Sequence, residues 1–213
     1  MKRAVSDKIL PKAPRGFEGV KRYWDKKMDM PAAKIMPGEF YVSTHGEMIV
    51  TVLGSCISTC IRDRELGIGG MNHFMLPMQG EHSSGWGDNV ANSATRYGNW
   101  AMEYLINAII KLGGNKNNFE VKVFGGGKVI ANMSDVGLKN ISFVREYLKA
   151  ELLMVSATDV GGVHPRKVLY FPDTGKVKIR RLIHVDNDTI NQREDRYRRD
   201  LDTAPAEGSI ELF

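Results

Sequence analysis

The sequence is poor in cysteine and has no long apolar run. Two cysteines in 213 residues exclude the disulfide framework of a small secreted protein and are typical of a reducing compartment. No apolar run approaches the roughly 20 residues that a membrane span needs, and the N-terminus lacks the apolar core of a signal peptide. We therefore expect a cytoplasmic protein without stable membrane insertion.

A basic surface spread over the whole chain is also missing. The net charge of +5 is concentrated in residues 1–35, which hold ten Lys or Arg and four Asp or Glu. Because no nucleic-acid recognition motif accompanies these charges, we expect no nucleic-acid partner. The basic segment is either a solvated arm or a site of weak attraction to an anionic membrane surface or to acidic helices.

Repeats and low-complexity segments are absent, and the length fits one domain with a sizeable core. The predicted elements follow the order strands, helix, strand, helix, strands, with helices at residues 93–112 and 138–148. This order predicts the α/β (α+β) class, a single layered domain with a mixed, largely antiparallel sheet and two main helices. The predicted segments are a basic N-terminal arm (1–37), a main domain (38–185) and a charged C-terminal tail (186–213).

The most informative stretch is Thr51–Pro77, TVLGSCISTCIRDRELGIGGMNHFMLP, which holds both cysteines and one of the five histidines. Two apolar runs, 57–61 and 68–76, flank a short polar segment, 63–67, that ends in glycine. This pattern predicts an antiparallel hairpin.

The predicted hairpin brings a sulfur and an imidazole together. With the turn centred between Arg64 and Glu65, Cys56 lies directly opposite His73 on one face of the ribbon. We hypothesise a thiolate–imidazole pair, because a neighbouring imidazolium lowers the pKa of a cysteine and keeps a nucleophilic thiolate at neutral pH.

Residues just upstream complete a candidate catalytic site. Gly54 and Ser55 predict a tight turn before Cys56, where backbone N–H groups can stabilise an oxyanion. The hydroxyl of Thr51 is placed to hydrogen-bond the imidazole of His73, as the third member of a triad would.

Other assignments stay open from the residues alone. A free cysteine is often only a buried core residue, and this applies to Cys56 and still more to Cys60, which has no evident base. His82 and His164 are rival bases. No metal is predicted, because the sequence has no Cys-x-x-Cys pair and no second half of a zinc site.

Three further segments have candidate roles. Trp86, in a predicted loop at 78–92, either lines the rim of the substrate site or anchors the loop. The triple glycine before Lys128 fails the phosphate-loop pattern and predicts a close backbone approach or an amide-lined wall of the site. His164, in the turn DVGGVHPR, is a candidate for the substrate loop.

A mixed-charge surface helix is predicted at 190–201.

Several motifs together resemble the chemoreceptor glutamine deamidase family, CheD, over about residues 40–183. They are TVLGSC, IGGMNHFMLP, ATRYGNWAMEYLINAIIKLGG, KVFGGGKVI, GLKNISFVREYL and DVGGVHPRKVLYFPDTGKVKIRRL. The resemblance implies that the main domain hydrolyses selected glutamine side chains of methyl-accepting chemotaxis receptors to glutamate and ammonia, without a cofactor. It places the nucleophile at Cys56 and the base at His73. The family's threonine falls on Thr51, the nearest one, while Val50 occupies the position that some members use.

The family resemblance also implies association with CheC-type phosphatases of the chemotaxis pathway. The alternative function is therefore a non-catalytic binding partner and regulator of such a phosphatase. A thiol protease would share the same chemistry. The expected mechanism is attack of the Cys56 thiolate on the glutamine carboxamide, proton transfer through His73 and hydrolysis of the thioester by water.

Overall fold

The structure is a computed structural model that describes residues 9–44, 46–77, 89–129, 136–183 and 188–203. No helix within these ranges is long and apolar enough to cross a membrane.

The described part of the chain forms two five-stranded sheets, and the first has the order β1-β2-β4-β9-β10. Its strands are β1 (Lys21–Asp25), β2 (Met30–Lys34), β4 (Met48–Leu53), β9 (Arg166–Phe171) and β10 (Lys176–Arg181). β2 and β4 are parallel, and the other neighbours are antiparallel. Part of the predicted N-terminal arm thus contributes two strands to this sheet, next to β4.

The second sheet has the order β3-β6-β5-β7-β8. Its strands are β3 (Phe40–Ser43), β5 (Ile57–Asp63), β6 (Gly69–Asn72), β7 (Phe119–Gly125) and β8 (Val155–Val160). Only β7 and β8 are parallel. The central strand β5 is buried along almost its whole length, as its β-branched and apolar composition requires.

The described ranges also contain three α-helices: α1 (Asn89–Lys111), α2 (Val136–Ala150) and α3 (Asp188–Thr203). α1 packs on β3, β5 and β6, and α2 packs on α1 and β5. One core cluster joins both sheets to α1 and α2, with members such as Ile49, Ile57, Leu105, Val144 and Tyr170.

The predicted α+β class is confirmed, and so is its largely antiparallel pairing. The strands divide between two sheets where the sequence predicted one, because the chain passes between the sheets repeatedly: β3 belongs to the second sheet, β4 to the first and β5 to the second. The two main helices are present, each starting two to four residues earlier than predicted. The helix predicted in the C-terminal tail is α3.

The hairpin of β5 and β6 exists, but its predicted register is wrong. Cys60 pairs with Met71, which displaces the ladder by two residues from a direct pairing of Cys56 with His73. Because side chains alternate faces with a period of two, a two-residue shift leaves both site residues on the same side of the ribbon.

The turn explains the shift. The Asp63 carboxylate accepts the backbone N–H groups of Glu65 and Leu66 at 2.8 and 3.0 Å. Gly67 then closes the turn with a φ of +68° and donates its N–H to the Asp63 carbonyl. These bonds centre the turn between Glu65 and Leu66, one position later than predicted.

Candidate active site

The candidate site lies where the chain crosses from β4 in the first sheet to β5 in the second. β4 ends at Leu53 and β5 begins at Ile57, so the connecting residues 54–56 form the crossing. Thr51 comes from β4 in the first sheet, and His73 directly follows β6 in the second. The site therefore combines side chains from both sheets at their junction.

Backbone hydrogen bonds fix the position of His73. Its N–H donates to the Glu39 carbonyl at 2.9 Å, and its carbonyl accepts from Gly38 at 2.8 Å. The next residue, Phe74, exchanges two hydrogen bonds with Ile57, at 2.8 and 3.0 Å. Since Ile57 follows Cys56 in the chain, these contacts bring the imidazole beside the sulfur.

Three potentially reactive side chains meet at this point. The Cys56 sulfur, a ring nitrogen of His73 and a carboxylate oxygen of Glu194 all lie within 4.8 Å of one another. The three residues are at most 2% exposed. The structure thus brings Cys56 and His73 together and adds an acidic residue from α3.

Thr51 fixes the tautomer of His73. The Thr51 hydroxyl oxygen lies 2.9 Å from the Ile35 carbonyl and 2.8 Å from His73 Nδ1. The hydroxyl must donate to the carbonyl, so it accepts a hydrogen bond from Nδ1–H. Nε2 is then unprotonated, and it is buried without a hydrogen-bond partner among the described residues. This nitrogen is ready to accept a proton.

Consecutive backbone N–H groups in the crossing form an anion-binding nest, defined here as the N–H groups of Gly54, Ser55 and Cys56. All three donate to the Glu194 carboxylate, at 2.8, 2.8 and 3.3 Å. The Ser55 hydroxyl adds a fourth bond to it at 2.6 Å. Such converging amides stabilise a negative charge, as an oxyanion hole does.

The far side of the nest explains its orientation. The carbonyl of Gly54 accepts from Gly127 N–H at 2.8 Å, and the carbonyl of Ser55 accepts from the Asn140 side-chain amide at 2.9 Å. A trans peptide points its C=O and N–H in opposite directions. Holding these two carbonyls therefore turns the N–H groups of Ser55 and Cys56 toward the site.

The glycines of the nest and its support leave no room for side chains. A Cβ at Gly125 would lie 2.3 Å from the Cys56 carbonyl oxygen, and one at Gly54 would lie 2.8 Å from the Glu194 carboxylate. Gly126 donates to the Cys56 carbonyl at 2.7 Å with a φ of +64°, which favours glycine. The close backbone approach that the triple glycine predicted is thus present.

The electrostatics of the site favour a neutral pair. Burial, the Glu194 charge and a hydrogen bond with Glu194 raise the pKa of the Cys56 thiol well above its ordinary value. Burial and then the Arg193 charge lower the pKa of His73 to about 3. Both shifts favour the uncharged forms of the pair while Glu194 is bound beside it, because an adjacent carboxylate opposes a thiolate.

Cysteine, histidine and glutamate are also the ligand types of a zinc site. The Glu194 carboxylate, however, already accepts two hydrogen bonds at each oxygen, which fills its roughly four lone-pair sites. The nest donors surround an anion, so the arrangement fits a carboxylate bound by amides better than a metal ligand.

The remaining residues considered in the sequence analysis are Cys60, His82, Trp86 and His164. Trp86 and His82 lie outside the described residues. His164 is half-buried in the turn between β8 and β9, whose Gly162 carbonyl accepts from Lys128. This turn therefore borders the triple-glycine segment behind the nest. Cys60 is fully buried in the core cluster, as predicted.

Sequence reasoning missed two residues of the site, Glu194 and Asn140. Asn140 is completely buried and also accepts the Leu76 N–H at 2.9 Å, so it links the crossing to the segment after His73. Its signal was a polar residue on the apolar face of a predicted helix. Glu194 lies in a helix rich in both charges, where one acidic residue does not stand out.

Comparison with known proteins gives a consistent family for the chain. A family model described as CheD chemotactic sensory transduction matches residues 75–181. A Halorhodospira halophila protein named "Probable chemoreceptor glutamine deamidase CheD" is 49% identical over 96% of this chain and 94% of its own. Proteins from Saccharophagus degradans and Dechloromonas aromatica, named as CheD and CheD 1, are 48% and 52% identical over 98% and 90% of this chain and 96% and 94% of their own. The chain belongs to the CheD family.

Proposed function

We propose that this protein hydrolyses selected glutamine side chains of chemoreceptors to glutamate and releases ammonia. The observation that carries the proposal is the convergence of Cys56, a neutral His73 and the amide nest of residues 54–56 at one buried point. The relatives are named as probable chemoreceptor glutamine deamidases.

The proposed reaction starts with a proton transfer. His73 Nε2 takes the Cys56 thiol proton, and the sulfur attacks the carboxamide carbon of the substrate glutamine. The tetrahedral intermediate collapses to a thioester as His73 returns the proton to the departing ammonia. Water then hydrolyses the thioester with His73 as base, and the products are glutamate and the free thiol.

The nest supplies the electrostatic part of catalysis. Its N–H groups are directed by bonds on the far side, so they need no rearrangement when a negative oxygen develops. Each well-placed donor of this kind contributes about 2–4 kcal/mol to transition-state stabilisation. Thr51 is a positioning residue, because it holds the His73 ring in the tautomer that leaves Nε2 free.

A regulator of a CheC-type phosphatase remains the alternative, and binding of such a phosphatase stays a prediction. An intact nucleophile, base and nest support catalysis, since a pure binding protein needs none of these groups. A cytoplasmic location is part of the proposal. A thiol protease would cut the backbone of its substrate, whereas a deamidase leaves it whole.

The test is site-resolved mass spectrometry of a chemoreceptor co-expressed with this protein. We expect a gain of about 1 Da at particular glutamines and an uncut backbone. Cys56→Ala should reduce the conversion rate by at least about 10⁴-fold, and the matched control Cys60→Ala should retain it. Equal conversion by the wild-type and Cys56→Ala proteins would refute the proposal.

A further inference from the structure

The Glu194 carboxylate occupies the part of the site where a reacting group belongs. It accepts every N–H of the nest and lies within 4.8 Å of the Cys56 sulfur. Its partner residues are about 140 positions earlier in the chain, so no local turn enforces the contact. A carboxylate in this place has the chemistry of a deamidation product, a glutamate side chain that has just been formed from glutamine.

We infer that α3 is an intramolecular product mimic, which closes the active site by placing Glu194 where the glutamate product of a substrate would lie. This inference rests on the proposed deamidase function. It extends that function by a regulatory element of the chain itself, because a substrate glutamine and Glu194 compete for the same amide donors.

The contacts of α3 show how the helix is docked. Ile190, Glu194, Tyr197 and Leu201 follow a helical spacing and lie on one face. Ile190 and Glu194 are buried, and Tyr197 and Leu201 pack against the core cluster. The Tyr197 hydroxyl hydrogen-bonds that of Tyr97 on α1.

The remainder of α3 is strongly polar, with eight charged residues among the other twelve. A helix with few apolar contacts gains little from burial, so the hydrogen bonds of Glu194 contribute a large part of its docking. The docked helix leaves Cys56 fully buried and His73 2% exposed, which keeps a macromolecular substrate away from both. Displacement of α3 is therefore a step that precedes catalysis.

The variant Glu194→Gln provides a chemical test of whether Glu194 occupies the position of the product. The substitution places a carboxamide in the nest next to Cys56, so the chain becomes its own substrate. The sulfur attacks the carboxamide carbon, ammonia leaves with a proton from His73, and water hydrolyses the thioester to restore glutamate. Intact-mass and peptide mass spectrometry should show conversion at position 194, with a gain of about 1 Da.

Two controls separate self-deamidation from spontaneous deamidation. Gln192 is exposed on the same helix and should remain unchanged in the same sample. The double variant Glu194→Gln with Cys56→Ala should keep its carboxamide, because it lacks the nucleophile. Conversion of the single variant alone supports the inference.

Reactivity of the sulfur gives a second measurement. Glu194→Ala removes the hydrogen bonds to the nest and the charge beside Cys56, so the helix opens more often and the thiolate forms more readily. Alkylation of Cys56 by iodoacetamide at neutral pH should be at least about tenfold faster than in the wild type. Cys60, buried in the core in both proteins, should react at an unchanged rate.

The two assays distinguish the failure of this inference from the failure of the proposed function. If the wild-type protein converts receptor glutamines while the carboxamide at position 194 persists, the inference is wrong and the deamidase function stands. If neither is converted, both are wrong. An alkylation rate of Cys56 that does not change in Glu194→Ala would also overturn the inference.

Discussion

The nest is held in very different ways on its two sides. On the far side, Gly127 and Asn140 bind the carbonyls of Gly54 and Ser55 from within the folded core. On the site side, a single carboxylate from α3 binds all the amides. The first arrangement belongs to the permanent structure, and the second can be exchanged for a substrate.

The orientation of the nest N–H groups is therefore set on one side, and access to them is set on the other. Changes on the far side disturb the orientation of the N–H groups and should reduce catalysis. Changes on the α3 side should leave the catalytic groups in place and make them easier to reach. Substitutions on the two sides are therefore expected to move activity in opposite directions.

The largest effect is expected for Asn140→Asp. This change keeps the acceptor for Leu76 N–H but replaces the donor to the Ser55 carbonyl by a carboxylate oxygen, which repels it. The N–H of Cys56 then loses its enforced direction, and we expect kcat for receptor deamidation to fall about 100-fold. Steady-state ammonia release measures this loss.

The control for Asn140→Asp is Ser142→Ala on the same helix. Ser142 is exposed, and its hydroxyl donates a hydrogen bond to the side chain of Glu146. This variant should have unchanged kcat. An Asn140→Asp protein with wild-type kcat and an intact fold would show that residues 54–56 keep their orientation without the hydrogen bond from Asn140.

A smaller effect is expected for Thr51→Val, which also changes the permanent structure of the site and not the contact with α3. The isosteric change removes the acceptor for His73 Nδ1–H, so the ring loses its fixed tautomer. We expect kcat to fall about tenfold, well below the roughly 10⁴-fold of a charged orienting residue. Thr51→Ser keeps the hydroxyl and should restore most of the rate. Equal rates in the two variants would show that the hydroxyl does not orient the ring.

Apart from Asn140, the site residues that belong to the permanent structure were also the ones that local sequence patterns indicated. Cys56, His73 and Thr51 are close along the chain, and local strand and turn patterns sufficed to bring them together. The contact survived the wrong register, because the turn held by the Asp63 carboxylate moved the ladder by an even number of residues. An odd shift would have placed the imidazole on the opposite face.

The contact between α3 and the nest could not be predicted from the sequence, for a physical reason. A helix in the charged tail was predicted correctly, but its docking depends on a contact between Glu194 and residues that precede it by about 140 positions. Nothing in a mixed-charge segment marks one carboxylate as the buried one. The division into two sheets was missed similarly, since local patterns define strands without stating which neighbours they choose.

The smallest effect is expected for Tyr197→Phe, which alters only the docking of α3. The variant loses the hydrogen bond to Tyr97 and keeps the ring packing, which weakens docking of α3 by about 0.5–1.5 kcal/mol. Cys56 alkylation should therefore accelerate about twofold to tenfold, with unchanged Cys60. Tyr97→Phe should have the same effect, and the double variant should not add to it, because both remove one bond. Additive effects, or slower alkylation, would show that this hydroxyl pair does not hold the helix over the site.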